Sequence, residues 1–504
     1  MSTPTTTLAG VMLATPAEEA TSSSAGKRLF RNTVWSALGS AAPMLIAIIA
    51  VPRLIHGLGA DRFGVLAMAW MGIGYLSLLD LGLGRAITRL IADKLTSGEH
   101  EEVPAIFWDA HLLLLGVGIA GGAAVWGLSD LLLNHALKLP ASLHGEATNC
   151  IRLIAATIPV VVMANGLRGF LEAHQRFRAV NVVRMIVGVT GFLVPLLLLH
   201  WTPRVDATVA ALSLVRIITI FGYVFCCIRV CPGIWSHRRL GTTPLAPLLR
   251  FGGWITFDNL IGPLMISVDR FIIGTLLSVG MTTYYVTPQE MMTKLLILPM
   301  ALQQAIFPAF SSVSREVGAV LYRRSVDSIL LLMLPLTLIA MMFANEILTV
   351  WVGSAFAAQS FRVLEWLAVG ILINSVAHVP SSMIQAIGRP EVNAKIHSIE
   401  LPLYLGLVWI MVSHYGILGA AIAWVIRVAV DTACFFVAGY RVMPTMPFSR
   451  KTLVAAILLV GGGAWVEMAT HHLVPKLLYL AAAAAVSLIL ALPLLSRRPV
   501  AVEA

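Results

Sequence analysis

The fold class read from this sequence is an all-α polytopic membrane protein of about fourteen transmembrane helices, in two six-helix lobes with two extra helices. Three observations lead there. The 504 residues are 58% hydrophobic and only 12% charged, with a mean hydropathy of +0.86, a balance that soluble globular domains do not show. Apolar runs of the roughly 20 residues that span a bilayer recur along the whole chain. Finally, one half of the chain repeats the other.

The runs fall at about 33–52, 62–84, 104–126, 148–169, 180–200, 206–228, 251–277, 282–307, 325–350, 362–387, 393–412, 416–439, 451–470 and 475–495. The stretch near 128–137 reads as a short interfacial helix. Residues 1–26 are rich in Ser and Thr, carry only acidic charge and lack the cationic start of a signal peptide, so they are expected to be a disordered tail. Five cysteines lie in or beside apolar runs without metal spacing, and no disulfide framework is expected.

The formal charge is +10. In a soluble protein it would point to nucleic acid; here the positive-inside bias accounts for it. With a cytoplasmic N-terminus, 24 of the 35 lysines and arginines fall on the inside, 7 outside and 4 within spans. Both termini are then cytoplasmic.

The repeat is read from two pairs of segments. NGLRGFLEAHQRFRAVN (165–181) closes the fourth span as PSSMIQAIGRPEVNAK (380–395) closes the tenth. ATVAALSLVRIITIFGYVF (207–225) matches GAAIAWVIRVAVDTACFF (419–436), which aligns Arg216 with Arg427. Six spans per unit keep both units in one orientation, with their axis along the membrane normal. The expected division is a tail (1–26), an N-lobe (27–240), a C-lobe (241–445) and two added spans with a short tail (446–504).

Charge within a span costs at least ~2.5 kcal/mol per group, so such residues face partners or a polar cavity. The spans of the hairpin at Phe251–Phe310 hold Asp258, Asp269, Arg270, Glu290 and Lys294, with Pro263, Pro288 and Pro299 breaking the helices. Glu290 and Lys294 share a helix face. Two acids and two bases can form a neutral clasp. Alternatively, Lys294 or Arg270 meets an anion while Glu290 or Asp269 exchanges a proton or sodium ion. Arg216 has no acid three or four residues away, so it either meets an anionic ligand or pairs with Asp80 or Asp109 of another helix. Arg427 has Asp431 one turn on as its evident partner, a structural or gating pair. Asp258, Asp80 and Asp109 lie nearer the cytoplasmic ends, where solvation is expected.

Gln303, Gln304, Asn165, Asn374, His378 and Gln385 read first as interhelical hydrogen-bonding groups and second as contacts for hydroxyls. Tyr284, Tyr285 and Trp254 read as interfacial anchors or stacking surfaces. Arg168, Arg176, Arg178 and Arg184 form a cytoplasmic basic band suited to anionic lipid. There is no G-x-x-x-x-G-K-[ST], no D-x-D and no H-E-x-x-H, and the chain is not expected to be an enzyme or to hold a cofactor.

NTVWSALGSAAPMLIAIIAVPRLIHGLGADRFGVLAMAW and YLSLLDLGLGRAITRLIA resemble the opening of polysaccharide transporters in the MATE-like multidrug/oligosaccharidyl-lipid/polysaccharide flippase superfamily, in particular Wzx-type flippases. LMISVDRFIIGTLLS and YYVTPQEMMTKLLILPMALQQAIFPAFS resemble that family's seventh and eighth spans, and Asp269–Arg270 match its Asp-Arg pair. The resemblance implies an inner-membrane secondary transporter. It would move undecaprenyl-diphosphate-linked oligosaccharide units (O-antigen, capsule or exopolysaccharide) to the periplasmic leaflet by alternating access. It would draw on H⁺, Na⁺ or the substrate gradient, among membrane lipids and beside a polymerase or glycosyltransferases. The resemblance carries over only the position of Asp269–Arg270. From the chemistry of the residues themselves, Arg216, Lys294, Arg270 and Arg427 are the candidates to bind substrate, and Asp269, Glu290, Asp431, Asp258 and Asp80 those to couple or gate. A cation-coupled multidrug exporter of the same fold and a membrane-embedded polymerase are the competing readings.

Overall fold

A computed structural model describes residues 16–76, 83–234, 265, 267–312, 315–442, 444, 449–470 and 472–496. All regular structure among them is helical, with no strand. The helices are α1 (Pro16–Leu76), α2 (Leu83–Ser97), α3 (Val103–Leu131), α4 (His144–Ala173), α5 (Phe177–Leu198), α6 (Val205–Val230), α7 (267–276), α8 (Val279–Thr293), α9 (Ile297–Ser312), α10 (Arg315–Met342), α11 (Ala344–Trp351), α12 (Ser354–Ala386), α13 (Pro390–Val442), α14 (Arg450–Ala469) and α15 (Leu473–Ser496).

Ten described helical runs are long and apolar enough to cross a membrane. Two of them each hold two of the expected spans. α1 is interrupted at Gly59 (φ 77°) and α13 at Gly416 (φ 60°), left-handed positions that break the helical path. In α13 the halves run antiparallel. His397 meets Asp431 and Glu400 meets Arg427 across the turn. The seventh span is represented by α7. The eighth is α8 and α9 joined by a 3₁₀ turn at Lys294–Leu296, placed where Pro299 offers no N–H to the carbonyl of Leu295.

Each lobe is built around one helix. In the N-lobe, α4 packs against α1, α2, α3, α5 and α6. In the C-lobe, α12 packs against α8, α9, α10, α11 and α13. These centres are the fourth and tenth spans, which the repeat aligns. α14 and α15 pack on α10 at the outside of the C-lobe.

Two expectations change. α1 begins at Pro16, so residues 16–26 are helical rather than part of a disordered tail. The stretch at 128–137 is no separate interfacial helix. α3 continues to Leu131 and ends in a π-turn over Leu132–Ala136, because nothing in VWGLSDLLLNHA interrupts helical hydrogen bonding.

The lobes meet at the end that carries the Ser278 turn. Thr283 Oγ1 donates to Ala60 O at 2.6 Å. The segment between α3 and α4 lies over the α7–α8 turn, with Lys138 N donating to Gly274 O at 3.0 Å and Val279 N to Lys138 O at 3.2 Å. Trp351 Nε1 donates to Ile48 O at 2.7 Å. Gly64 permits the approach, since a Cβ there would lie 2.1 Å from Val279 O.

Candidate functional site

The α7–α8 pair forms a graded polar network that runs from the lobe interior to its surface. Ser278 stops the chain between the helices in an extended conformation, and its hydroxyl accepts from Met281 N to cap α8. Below that turn, Asp269 is fully buried. It accepts from the backbone N–H of Arg270 at 2.8 Å, from the Tyr285 hydroxyl, and from Gln289 Nε2 at 3.0 Å. Arg270 donates from Nε to Gln289 Oε1 at 2.9 Å and from Nη2 to Glu290 Oε1 at 2.7 Å. Lys294 Nζ donates to the other oxygen of Glu290 at 3.2 Å. Side-chain exposure rises along the series, from 9% at Arg270 to 46% at Glu290 and 48% at Lys294. The buried end is hydrogen-bonded in full, and the open end presents a carboxylate and an ammonium.

Of the two readings of these charges, the clasp takes a different form from a four-charge one. Glu290 bridges both cations, while Asp269 is held by hydrogen-bond donors rather than by a side-chain ion pair. Gln289 and Tyr285 complete the network. Gln289 could have been found from its four-residue spacing from Tyr285. Tyr285 is a buried donor, not an interfacial anchor, because its hydroxyl satisfies a carboxylate with no access to water. Tyr284 stacks on Phe356 at 5.0 Å.

A second cluster lies inside α13. Arg427 Nη1 is 3.9 Å from Glu400 Oε1, and His397 Nε2 is 3.7 Å from Asp431 Oδ1. The one-turn Arg427–Asp431 pair is therefore replaced by pairs across the hairpin, which the spacing within one helix could not reveal. Ligand atoms of His397, Glu400 and Asp431 lie within 4.8 Å of one another, close enough to share a cation or a proton. Tyr404, completely buried, has the Arg427 guanidinium 5.3 Å from its ring and joins this cluster to the electrostatic surroundings of Asp269.

Arg216 is placed differently. It lies on the protein-facing side of α6, in line with buried Val209, Leu212 and Ser213 before it and Tyr223 and Cys227 after it. Leu214, Ile218 and Phe221 face outward. Among the described residues Arg216 has no ion pair, and Asp109, which is buried rather than solvated, is not its partner. The repeat shows which acids the N-lobe lacks. At the 211-residue offset that aligns Arg216 with Arg427, the acids Glu400 and Asp431 correspond to Val189 and Ile220. The N-lobe keeps the cation and lacks both counter-charges. The hydroxyl of Ser213, one turn before, is also buried without a hydrogen bond.

Asp80, Asp258 and Trp254 lie outside the described residues, as do the details of the Gln304 side chain. His378 Nδ1 and Gln303 Oε1 are 2.9 Å apart and tie α12 to α9. Arg168 pairs with Glu172 at 3.5 Å. At the Ser278 end the N-lobe holds Arg62 against Glu146 at 2.8 Å, and Glu146 also accepts from Val205 N. Just outside the spans, Lys94 is held above its ordinary pKa by hydrogen bonds to Glu102 and Glu99.

Residues 29–314 match the family model described as polysaccharide biosynthesis protein. A Shigella flexneri protein named as an O-antigen transporter is 32% identical over 412 residues, covering 80% of this chain and 96% of that one. The chain belongs to the polysaccharide biosynthesis protein family. Another relative, the lipopolysaccharide biosynthesis protein WzxC of Escherichia coli strain K12, is 22% identical over 84% of this chain and 83% of its own. Among solved structures, the lipid II flippase MurJ in an inward closed conformation superposes with a TM-score of 0.66 at 14% identity, covering 90% of this chain and 98% of that one. An inward-facing multidrug resistance MATE transporter of the MOP superfamily gives 0.63 at 16% identity, covering 81% and 98%. This member of the polysaccharide biosynthesis protein family is thus a multi-pass membrane protein with the two-lobed fold of those structures.

Proposed function

We propose that this protein translocates polyprenyl-diphosphate-linked oligosaccharides across the bacterial inner membrane by alternating access of its two lobes. The observation that carries the reading is Arg216, a guanidinium on the protein-facing side of a membrane-spanning helix with no counter-charge among the described residues. A cation left in that position needs an anion, and a diphosphate supplies one with the bidentate geometry that suits arginine. Lys294 offers a second, half-exposed cation from the C-lobe. The relatives' names, O-antigen transporter and lipopolysaccharide biosynthesis protein, agree with that cargo.

In this reading the Ser278 turn lies on the periplasmic side, both termini are cytoplasmic, and the described conformation is closed to the periplasm. No bond of the cargo is made or broken. The α13 cluster, with Glu400 lacking hydrogen bonds to either oxygen, is the place where H⁺ or Na⁺ would act on the C-lobe. A polymerase or glycosyltransferases are the expected neighbours of such a transporter. A multidrug exporter is the weaker reading, since Arg216, with no counter-charge among the described residues, repels cationic drugs.

The test is transport in cells by Arg216→Ala with insertion monitored separately. Loss of translocated glycan with normal insertion supports the reading. Undiminished translocation retires the phosphate role.

A further inference from the structure

Beneath the Ser278 turn lies a cavity of about 580 Å³ whose walls come from both lobes. Met68 and Gly72 of α1 and Cys150 and Ile154 of α4 form one side, and Phe271 of α7 and Trp409 of α13 form the other. Among the described lining residues only Ser267 and Thr275 bear a hydroxyl, and the Thr275 hydroxyl is already donated to Phe271 O at 2.9 Å. Such a lining offers water few hydrogen-bond partners and suits an apolar occupant.

We infer that this inter-lobe cavity receives the hydrocarbon chain of the transported lipid, so that the protein selects its cargo by chain length as well as by head group. The inference rests on the proposed function and assigns a part of the cargo to a part of the protein.

The first support is the placement of α7. Val268, Phe271, Ile272 and Thr275 line the cavity. Asp269 and Arg270 sit on the opposite face and lead to Glu290 and Lys294. One helix, roughly 10 Å across, thereby separates an apolar chamber from a charged network. An amphiphile with a diphosphate head and an isoprenoid tail has that division.

The second support separates a cargo chain from a resident membrane lipid. Leu137 and Leu139 line the cavity on either side of Lys138, whose backbone bonds to Gly274 and Val279 across the lobe junction. Opening that junction removes a wall. A permanent lipid would lose its contacts in every cycle, whereas a cargo chain would be released by the same movement. Lipid tails are as apolar as the chamber, so affinity alone does not draw a chain in. The head group tethers it, and shape decides whether it fits.

The test uses the full-length protein in proteoliposomes with two probes, undecaprenyl-diphosphate-N-acetylglucosamine and its farnesyl analogue. The chamber is filled by Gly72→Phe, at a position where a Cβ meets no atom within 4 Å. The variant should move the undecaprenyl probe about tenfold more slowly than wild type, and the farnesyl probe within about twofold of it, as expected where extra bulk competes with a long chain only. In the wild type, an undecaprenyl probe with a terminal diazirine should cross-link to peptides covering 65–72 or 267–275. An unchanged undecaprenyl rate overturns the inference, as does equal slowing of both probes or a cross-link confined to other segments. If Gly72→Phe fails to insert, the wild-type cross-link decides. Failure of the wild type to move either probe is failure of the proposed function, a result distinct from these.

Discussion

Arg270 and Lys294 both bind Glu290, yet their surroundings give them different work. Arg270 is almost fully enclosed and also holds Gln289, while Lys294 is half in the open. Arg270→Met removes a buried donor to Gln289 Oε1 and leaves buried Asp269 without its neighbouring positive charge. The expected loss is about 2–3 kcal/mol, read as a lower thermal midpoint in detergent. Lys294→Met removes a partly solvated pair worth less than about 1 kcal/mol. That variant should keep the wild-type midpoint while losing transport, and a reversed order of midpoints would contradict these assignments. The charges of this site were legible in the sequence because ionisable residues within apolar runs stand out. Their pairings were not. Gln289 carries no charge and is marked only by its four-residue spacing from Tyr285, and Glu400 meets Arg427 only because α13 folds back at Gly416.

At the scale of elements, the lobe junction and the appended helices make separate predictions. Thr283 donates to the carbonyl of Ala60 across the junction. An Ala60→Cys/Thr283→Cys variant should stop transport when oxidised and recover on reduction, measured on the same vesicles. Full activity in the oxidised state would mean that this contact does not open. The α14–α15 hairpin is fastened by Lys476, only 2% exposed, which pairs with Glu346 at 2.8 Å and Glu467 at 2.7 Å. Removing this cation leaves two carboxylates facing each other, and Lys476→Met should cost about 3–5 kcal/mol. Its midpoint should therefore fall further than that of Lys294→Met. Most elements could be read from apolar run length, since a bilayer demands a helix in each run. The junctions between them could not. Gly59 and Gly416 are ordinary glycines in sequence, and their left-handed conformations appear only in the folded chain. The helical start at Pro16 was hidden for a related reason, because Ser- and Thr-rich composition speaks against helix without forbidding it.

For the whole molecule, the repeat proved the most informative sequence feature. It aligned the spans that became the two lobe centres, α4 and α12, and it set Arg216 against Arg427. Its failure of symmetry matters equally. The C-lobe surrounds its arginine with acids, whereas the N-lobe offers Val189 and Ile220 in their places. In the proposed reading, that asymmetry leaves the N-lobe a cation with no counter-charge among the described residues, available to cargo, and the C-lobe an acid-rich cluster suited to coupling. The claim that a lipid-linked glycan crosses the bilayer through this protein is tested most directly in cells depleted of it, by locating the polyprenyl-diphosphate oligosaccharide on one leaflet or the other. The account predicts accumulation on the cytoplasmic leaflet with synthesis of the unit intact, corrected by wild-type protein and not by Arg216→Ala. Normal appearance of the unit on the periplasmic leaflet in the depleted cells would contradict it.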